Sequence, residues 1–117
     1  MIEQGYKKLI VWKKADQFAI QVYLITKKFP KEEIFGITSQ LRRAVLSIPT
    51  NIVEGAGRQN RGETKQFTNI ALGSLAEVEY LIGFCKNLNL INEEEHERLS
   101  NLRDELGALL WGFYKSF

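Results

Sequence analysis

The chain has 117 residues, 44% hydrophobic and 26% charged, which is the composition of one soluble domain with enough apolar side chains for a single core. Its apolar runs are only a few residues long, which excludes a transmembrane helix, because such a helix needs about 20 apolar residues. The single Cys85 excludes an internal disulfide, and no leader pattern opens the chain, so we expect one cytoplasmic domain over residues 1–117, with a formal net charge of +2.

Apolar residues recur every three or four positions in four segments, which predicts four helices. These segments cover residues 11–29, 35–56, 63–88 and 92–113. Pro30 ends the first pattern, and residues 6–10 before it are expected to lie extended over the bundle. Four helices with short connections favour an all-α fold, an antiparallel up-down-up-down four-helix bundle.

The third segment has more apolar surface than one neighbouring helix can cover. Its predicted core face carries Phe67, Ile70, Ser74, Val78, Leu81, Cys85 and Leu88. Leu72, Leu75 and Ile82 fall off that face. The surplus favours burial against other helices or against another subunit.

The fourth segment has the clearest beginning of the four. Asn92 followed by Glu95 is typical of a capping box, in which each side chain bonds to the other residue's backbone N–H. The predicted core positions then follow the spacing of a bundle helix: Leu99, Leu102, Leu106, Leu109 and Phe113.

The second and third segments are expected to form an antiparallel hairpin about residue 60. Gly55 and Gly57 are predicted to adopt left-handed conformations that end the second helix. In this register Arg43 lies level with Glu77 and Ser47 with Ser74. Gly73 and Ser74 would let the two backbones approach closely.

Polar residues along this hairpin form what we call the polar seam, with a structural role predicted for it. Its members are Arg43, Ser47, Asn51, Glu54, Ser74 and Glu77. Those on the second helix recur every three or four residues beside the apolar stripe. We predict an ion pair between Arg43 and Glu77, which would penalise wrong registers more than it adds to stability.

The sequence offers no set of residues for catalysis or for a cofactor. A di-iron bundle needs two Glu-x-x-His pairs, and the chain has one, Glu93 and His96. Cys85 falls on the predicted core face, which leaves no Cys/His or Ser/His/Asp arrangement. Gly55 and Gly57 follow a helix, whereas a phosphate-binding loop precedes one. We therefore predict a non-enzymatic protein with no catalytic residue, no bound metal and no cofactor.

Charge is distributed unevenly along the chain. Residues 1–31 carry seven Lys against two acidic residues, a net of +5, whereas residues 67–117 carry four basic against eight acidic residues, a net of −4. Such asymmetry is typical of a nucleic-acid surface, of chains that pack basic face against acidic face, or of ordinary solvated helix faces.

Three basic clusters are the candidate nucleic-acid contacts. One precedes and opens the first helix, one lies in the second helix, and one surrounds the turn between the second and third helices. The residues selected from them are Lys13, Lys14, Arg42, Arg58, Arg61 and Lys65. No RNP-type aromatic motif accompanies them, so we expect phosphate contact without base readout.

The centre of the chain resembles a known family. The resemblance is carried by Arg42-Arg43, Ser47-Ile48-Pro49, Asn51-Ile52, Glu54-Gly55, Gly57-Arg58, Glu63, Phe67, Ile70-Ala71, Gly73-Ser74-Leu75 and Glu77. These residues are similar to those of the four-helix-bundle proteins encoded in intervening sequences of bacterial 23S ribosomal RNA genes. The accessory variability proteins of diversity-generating retroelements belong to the same group.

The resemblance carries its own expectations. It implies a homo-oligomer, a pentamer, and contact with RNA or DNA or with a reverse transcriptase. A nucleic-acid-binding protein is therefore the leading hypothesis. The alternative is an oligomeric scaffold or adaptor that binds a protein partner and has no nucleic-acid role.

Overall fold

The computed structural model describes residues 5–117 and is built from four long helices. They are α1 (Ile10–Thr26), α2 (Ile37–Ala56), α3 (Arg61–Asn87) and α4 (Glu93–Lys115), with short 3₁₀ helices at Gly5–Lys8 and Lys31–Glu33. Each helix packs against the next, and α4 packs against α1. The predicted all-α bundle, antiparallel and up-down-up-down, is confirmed.

The start and end of α1 differ from the sequence prediction. Residues 6–10 are not extended, because Gly5–Lys8 is a 3₁₀ helix and α1 begins at Ile10. α1 ends at Thr26 and not near residue 29. Pro30 has no N–H to bond the Thr26 carbonyl and disfavours helical geometry at the residue before it. Phe29 nevertheless remains buried in the core.

One hydrophobic core runs through the bundle and includes residues of all four helices. Phe18, Ile48, Val78 and Leu106 represent α1 to α4 in it, each without accessible surface. Near the end of α4, Leu110 is fully buried, while the predicted Leu109 is only partly buried.

The core face of α3 is rotated from the predicted one. Leu75 and Ile82, expected off the core face, are buried, whereas Ile70 is 46% and Leu88 51% exposed. The reason lies at the start of α3, where small buried residues, Thr64 and Thr68, face the core. Their hydroxyls donate to backbone carbonyls, so a polar side chain is buried there without an unpaired group.

The α2–α3 hairpin closes through a helical glycine and not through a left-handed one. Gly55 lies inside α2, and a Cβ added there would come within 3.1 Å of the Phe67 Cβ. The missing side chain lets the Thr64 hydroxyl donate to the Gly55 carbonyl at 2.9 Å. Gly57 has φ −80°. Among residues 5–117, the one positive φ belongs to Asn89, at 60°, just after α3.

The predicted capping box of α4 is confirmed. Asn92 Oδ1 accepts from the Glu95 N–H at 2.7 Å, and Glu95 Oε1 accepts from the Asn92 N–H at 2.9 Å. Glu95 also forms an ion pair with Lys28, which lies just beyond the end of α1. The cap therefore fixes the start of α4 and joins it to the α1–α2 connection.

Candidate nucleic-acid interface

The antiparallel arrangement gathers basic residues at one end of the bundle. The start of α1, the α2–α3 turn and the end of α4 meet there, and we call this region, residues 5–16, 54–65 and 105–117, the basic end. It carries eight Lys or Arg side chains against four Asp or Glu, a net of +4. The opposite end, residues 27–38 and 86–98, carries five basic against six acidic side chains, a net of −1. The bundle is thus polarised along its axis.

Five of the six candidate contact residues lie at the basic end. Lys13 is exposed, and Lys14 forms an ion pair with Glu105 of α4 at 2.6 Å. The other three surround the α2–α3 turn: Arg58, Arg61 and Lys65. Two of the three clusters recognised in the sequence therefore lie at the same end of the bundle.

The cations of the turn lie over aromatic rings. Arg58 lies 5.0 Å from the centre of the Phe67 ring and pairs with Glu54 at 3.5 Å. Arg61 lies 5.3 Å from the Phe117 ring and donates to the Ser116 carbonyl at 2.6 Å. The Arg61 guanidinium thus satisfies a carbonyl at the end of α4, where a cation also suits the helix dipole.

A groove of about 360 Å³ opens at the basic end. Leu9 lines it from the segment before α1, Arg58 and Arg61 from the turn, and Phe113 and Phe117 from α4. Positive charge beside apolar ring surface is the combination found in grooves that follow a nucleic-acid backbone.

Arg42, the sixth candidate contact residue, lies apart from the basic end. It lies in the first half of α2, where its Nε donates to the Thr26 hydroxyl at 2.9 Å and its Nη2 to the Tyr23 carbonyl at 3.3 Å. Its guanidinium also lies 4.7 Å from the centre of the Tyr23 ring. These contacts tie α2 to the last turn of α1 and give Arg42 a structural role, while its nucleic-acid contact stays a prediction.

The polar seam is present, but without its predicted ion pair. The hydroxyls of Ser47 and Ser74 lie 2.9 Å apart, in agreement with the predicted register. Asn51 Nδ2 donates to the Ser47 carbonyl at 2.8 Å and to its hydroxyl at 2.9 Å. Polar side chains of α2 and α3 therefore do meet across this part of the bundle.

The predicted ion pair between Arg43 and Glu77 is wrong. Both side chains line one groove of about 350 Å³, but none of the ion pairs within residues 5–117 joins them. Gln40 Nε2 reaches Glu77 instead, at 3.5 Å. Both charges are exposed, and solvated side chains gain little from a fixed pairing. Glu54, another seam residue, pairs with Arg58 of the α2–α3 turn.

The aromatic residues of α4 are the part of the site that the sequence reading missed. Lys65 Nζ lies 4.9 Å from the Tyr114 ring, and Lys115 Nζ lies 6.0 Å from the Trp111 ring. The spacing of Trp111, Tyr114 and Lys115 on one face of α4 is visible in the sequence. Their neighbours on α3 are about 50 positions away, so only the fold shows the cluster.

Cys85 and His96 have surroundings that differ from those of a reactive centre. Cys85 has no accessible surface, and burial, with a smaller effect of Glu33, raises the pKa of its thiol to about 11. The thiolate needed for nucleophilic attack is therefore disfavoured. His96 lines a small groove with Arg103, whose guanidinium is bound to Glu79 and Asp104.

No helix within residues 5–117 is apolar over enough of its length to cross a membrane.

Comparison with other proteins places the chain in a family. The family model of the 23S rRNA-intervening sequence protein matches residues 7–112. A crystal structure of a Bacteroides thetaiotaomicron protein is also similar; it is described as a protein with unknown function from the S23 ribosomal protein family. Its TM-score is 0.81 at 28% sequence identity, over 91% of this chain and 99% of that one. Among curated proteins, none matches. The family match spans nearly the whole chain, and this protein therefore belongs to the 23S rRNA-intervening sequence protein family.

Proposed function

We propose that this protein binds the sugar-phosphate backbone of RNA or DNA through the basic end, without sequence specificity and without catalysis. The observation that carries the proposal is the meeting of two basic clusters from distant parts of the chain, with a net charge of +4.

The proposed contact is electrostatic. Each phosphate neutralised by Lys or Arg releases condensed counterions, so affinity rises with the number of contacts and falls with salt. A net charge of +4 on one end of a small bundle supports weak binding by one chain. In an oligomer, several basic ends would act on one strand, which increases the effective affinity without a new type of contact.

A charge-matched pair of variants tests the position of the interface. Lys8→Gln with Lys13→Gln removes two exposed cations from the basic end, and Lys27→Gln with Lys31→Gln removes two from the opposite end. We expect the first pair to weaken binding of a labelled oligonucleotide in fluorescence anisotropy. The slope of log affinity against log salt should become shallower by about 1.4 to 1.8.

The second double variant has the same net charge as the first, but it should bind the oligonucleotide like the unmodified protein. Equal losses of affinity in both double variants would show that the total charge of the protein, and not its position, determines binding. Absence of salt-sensitive binding by the unmodified protein at low salt would refute the proposal.

A second candidate function, an oligomeric scaffold that binds a protein partner, rests on exposed apolar residues at the opposite end. Phe35, just before α2, is 97% exposed, and Tyr80, Phe84 and Leu88 of α3 are 68%, 40% and 51% exposed. A shallow groove of about 340 Å³ lined by Ile37, Tyr80 and Phe84 lies between the two elements. Exposed large apolar residues of this kind are typical of a protein contact, and the family resemblance implies that a copy of the same chain, in a pentamer, is one partner.

Sedimentation velocity tests this surface. We expect the unmodified chain to sediment as an oligomer and Phe35→Ser to shift it toward the monomer. Ile20→Ser, which changes an apolar residue of α1 that is 51% exposed, serves as the control and should leave the oligomer intact. A monomer at all accessible concentrations would remove self-association through this surface.

A further inference from the structure

The basic end carries exposed aromatic surface as well as positive charge. Trp111 is 52% exposed, and it stacks on Tyr114 with ring centres 5.5 Å apart and planes 14° apart. Lys65 Nζ lies over the Tyr114 ring, 4.9 Å from its centre, and Lys115 Nζ lies over the Trp111 ring, 6.0 Å from its centre. We call these four side chains the stacking platform.

We infer that the basic end selects single-stranded over duplex nucleic acid, with an unpaired base stacked on Trp111. This inference rests on the proposed function, because it concerns the same surface. It adds the form of the ligand and the residue that recognises it.

The geometry of the platform favours an unpaired base. Trp111 and Tyr114 already form one parallel stack, and a base of similar flatness can extend it. In a duplex the base faces are covered by their neighbours, whereas in a single strand they are free to stack on aromatic side chains. Lys115 is a flexible exposed side chain, and when a base displaces it from the Trp111 ring, it and Lys65 can meet the phosphates on either side of the stacked base.

The basic end of a second copy is a poorer occupant of this platform. Two basic ends in contact would bring together two surfaces of the same net positive charge, +4 each. Like charges across an interface oppose association. A polyanion with flat, apolar bases matches both the charge and the rings.

The first test compares ligands. We expect a labelled single-stranded oligonucleotide to bind about tenfold more tightly than a duplex of the same length at the same salt, since stacking of one base contributes that much affinity. In a Trp12→Phe protein, Trp111 is the remaining tryptophan, and its fluorescence should be quenched when the single strand binds.

The second test compares variants. Trp111→Ala should weaken single-strand binding about tenfold and leave duplex binding and the salt slope unchanged, whereas Trp111→Phe should retain most of the affinity. Trp111→Leu keeps apolar volume without a ring and should behave like Trp111→Ala. Ile20→Ala removes an exposed apolar residue of α1, 51% exposed, that lies outside both the basic end and the proposed oligomer contact, and should have no effect.

The outcomes separate this inference from the proposed function. Binding of neither oligonucleotide refutes both. Equal binding of single strand and duplex, with no effect of Trp111→Leu, refutes the stacking platform and leaves the phosphate contact standing. Loss of affinity in Trp111→Leu that Trp111→Phe does not share supports the inference, provided thermal melting shows both variants folded.

Discussion

At the scale of single residues, two adjacent arginines illustrate how neighbours in the sequence acquire different roles. Arg42 points toward α1, where a hydroxyl and a carbonyl accept its N–H groups. Arg43, one position and about 100° further around the helix, is exposed and has none of these partners. The sequence predicts a nucleic-acid contact for the first, which stays a prediction, and an ion pair for the second, which the structure contradicts.

Replacement of these arginines should therefore give different results. Arg42→Ala removes two hydrogen bonds and leaves the Thr26 hydroxyl without its donor, so we expect the free energy of unfolding to fall by about 1 to 2 kcal/mol. Arg43→Ala should change it by less than about 0.5 kcal/mol, as is usual for an exposed side chain. Urea denaturation of both variants measures the difference, and equal losses would contradict the structural role of Arg42.

At the scale of elements, the α2–α3 hairpin depends on one glycine and not on the others near it. Gly55 lies against Thr64 and Phe67 of α3, whereas a Cβ at Gly73 would meet nothing within 4 Å. The prediction that Gly73 permits close approach of the backbones is thus wrong, and Gly55 has that role.

Substitution of alanine at the two glycines should change stability in opposite directions. Gly55→Ala forces α3 away from α2, and we expect a loss of about 1 to 3 kcal/mol. Gly73→Ala adds no contact and reduces the conformational freedom of the unfolded chain, so we expect a gain of about 0.5 to 1 kcal/mol. Thermal melting of the two variants tests the pair, and a stabilised Gly55→Ala protein would be inconsistent with the close approach.

The N-terminal cap of α4 makes the stability of the fold depend on pH. Burial of Glu95 opposes its ionisation, but hydrogen bonds from Lys28 and from the Asn92 N–H outweigh that effect and hold the pKa of the carboxyl below its usual value. A carboxyl with a lowered pKa in the folded state stabilises the fold at pH values above its unfolded pKa, about 4.3. This contribution is lost as the pH falls through the folded pKa.

The pH dependence of Glu95→Gln tests this arrangement. Glutamine can still accept the backbone hydrogen bond of the capping box but cannot form the ion pair with Lys28. We expect Glu95→Gln to be less stable than the unmodified protein by about 1 kcal/mol at pH 7, with the difference shrinking below about pH 4. Asn92→Ala serves as a comparison, because it should cost about 1 kcal/mol at both pH values through loss of the N-cap. A difference for Glu95→Gln that is constant from pH 7 to pH 3 would contradict the role of its charge.

At the scale of the whole molecule, the fold changes the meaning of the charge pattern. The sequence shows a basic first quarter and an acidic second half, yet the bundle places the end of the acidic half beside the basic start. Lys14 pairs there with Glu105, and Lys65 lies over Tyr114. The resulting polarity runs along the bundle axis, from a basic end with rings to an opposite end with exposed apolar residues.

The sequence by itself determined the four helices, their order and the start of α4. These features depend on local interactions, such as apolar periodicity and the bonds between Asn92 and Glu95, which involve residues a few positions apart.

The tertiary structure decided which side of each helix faces the core and which side chains meet across helices. On α3, apolar residues cover so much of the circumference that a repeat of 3.6 residues fits more than one core face, and only packing against α2 and α4 selects the one that contains Leu75. The same packing places the Arg42 guanidinium beside the Thr26 hydroxyl of α1 and the Lys65 ammonium over the Tyr114 ring. Such contacts join residues far apart in the chain, and their geometry follows from the close fit of all four helices at once.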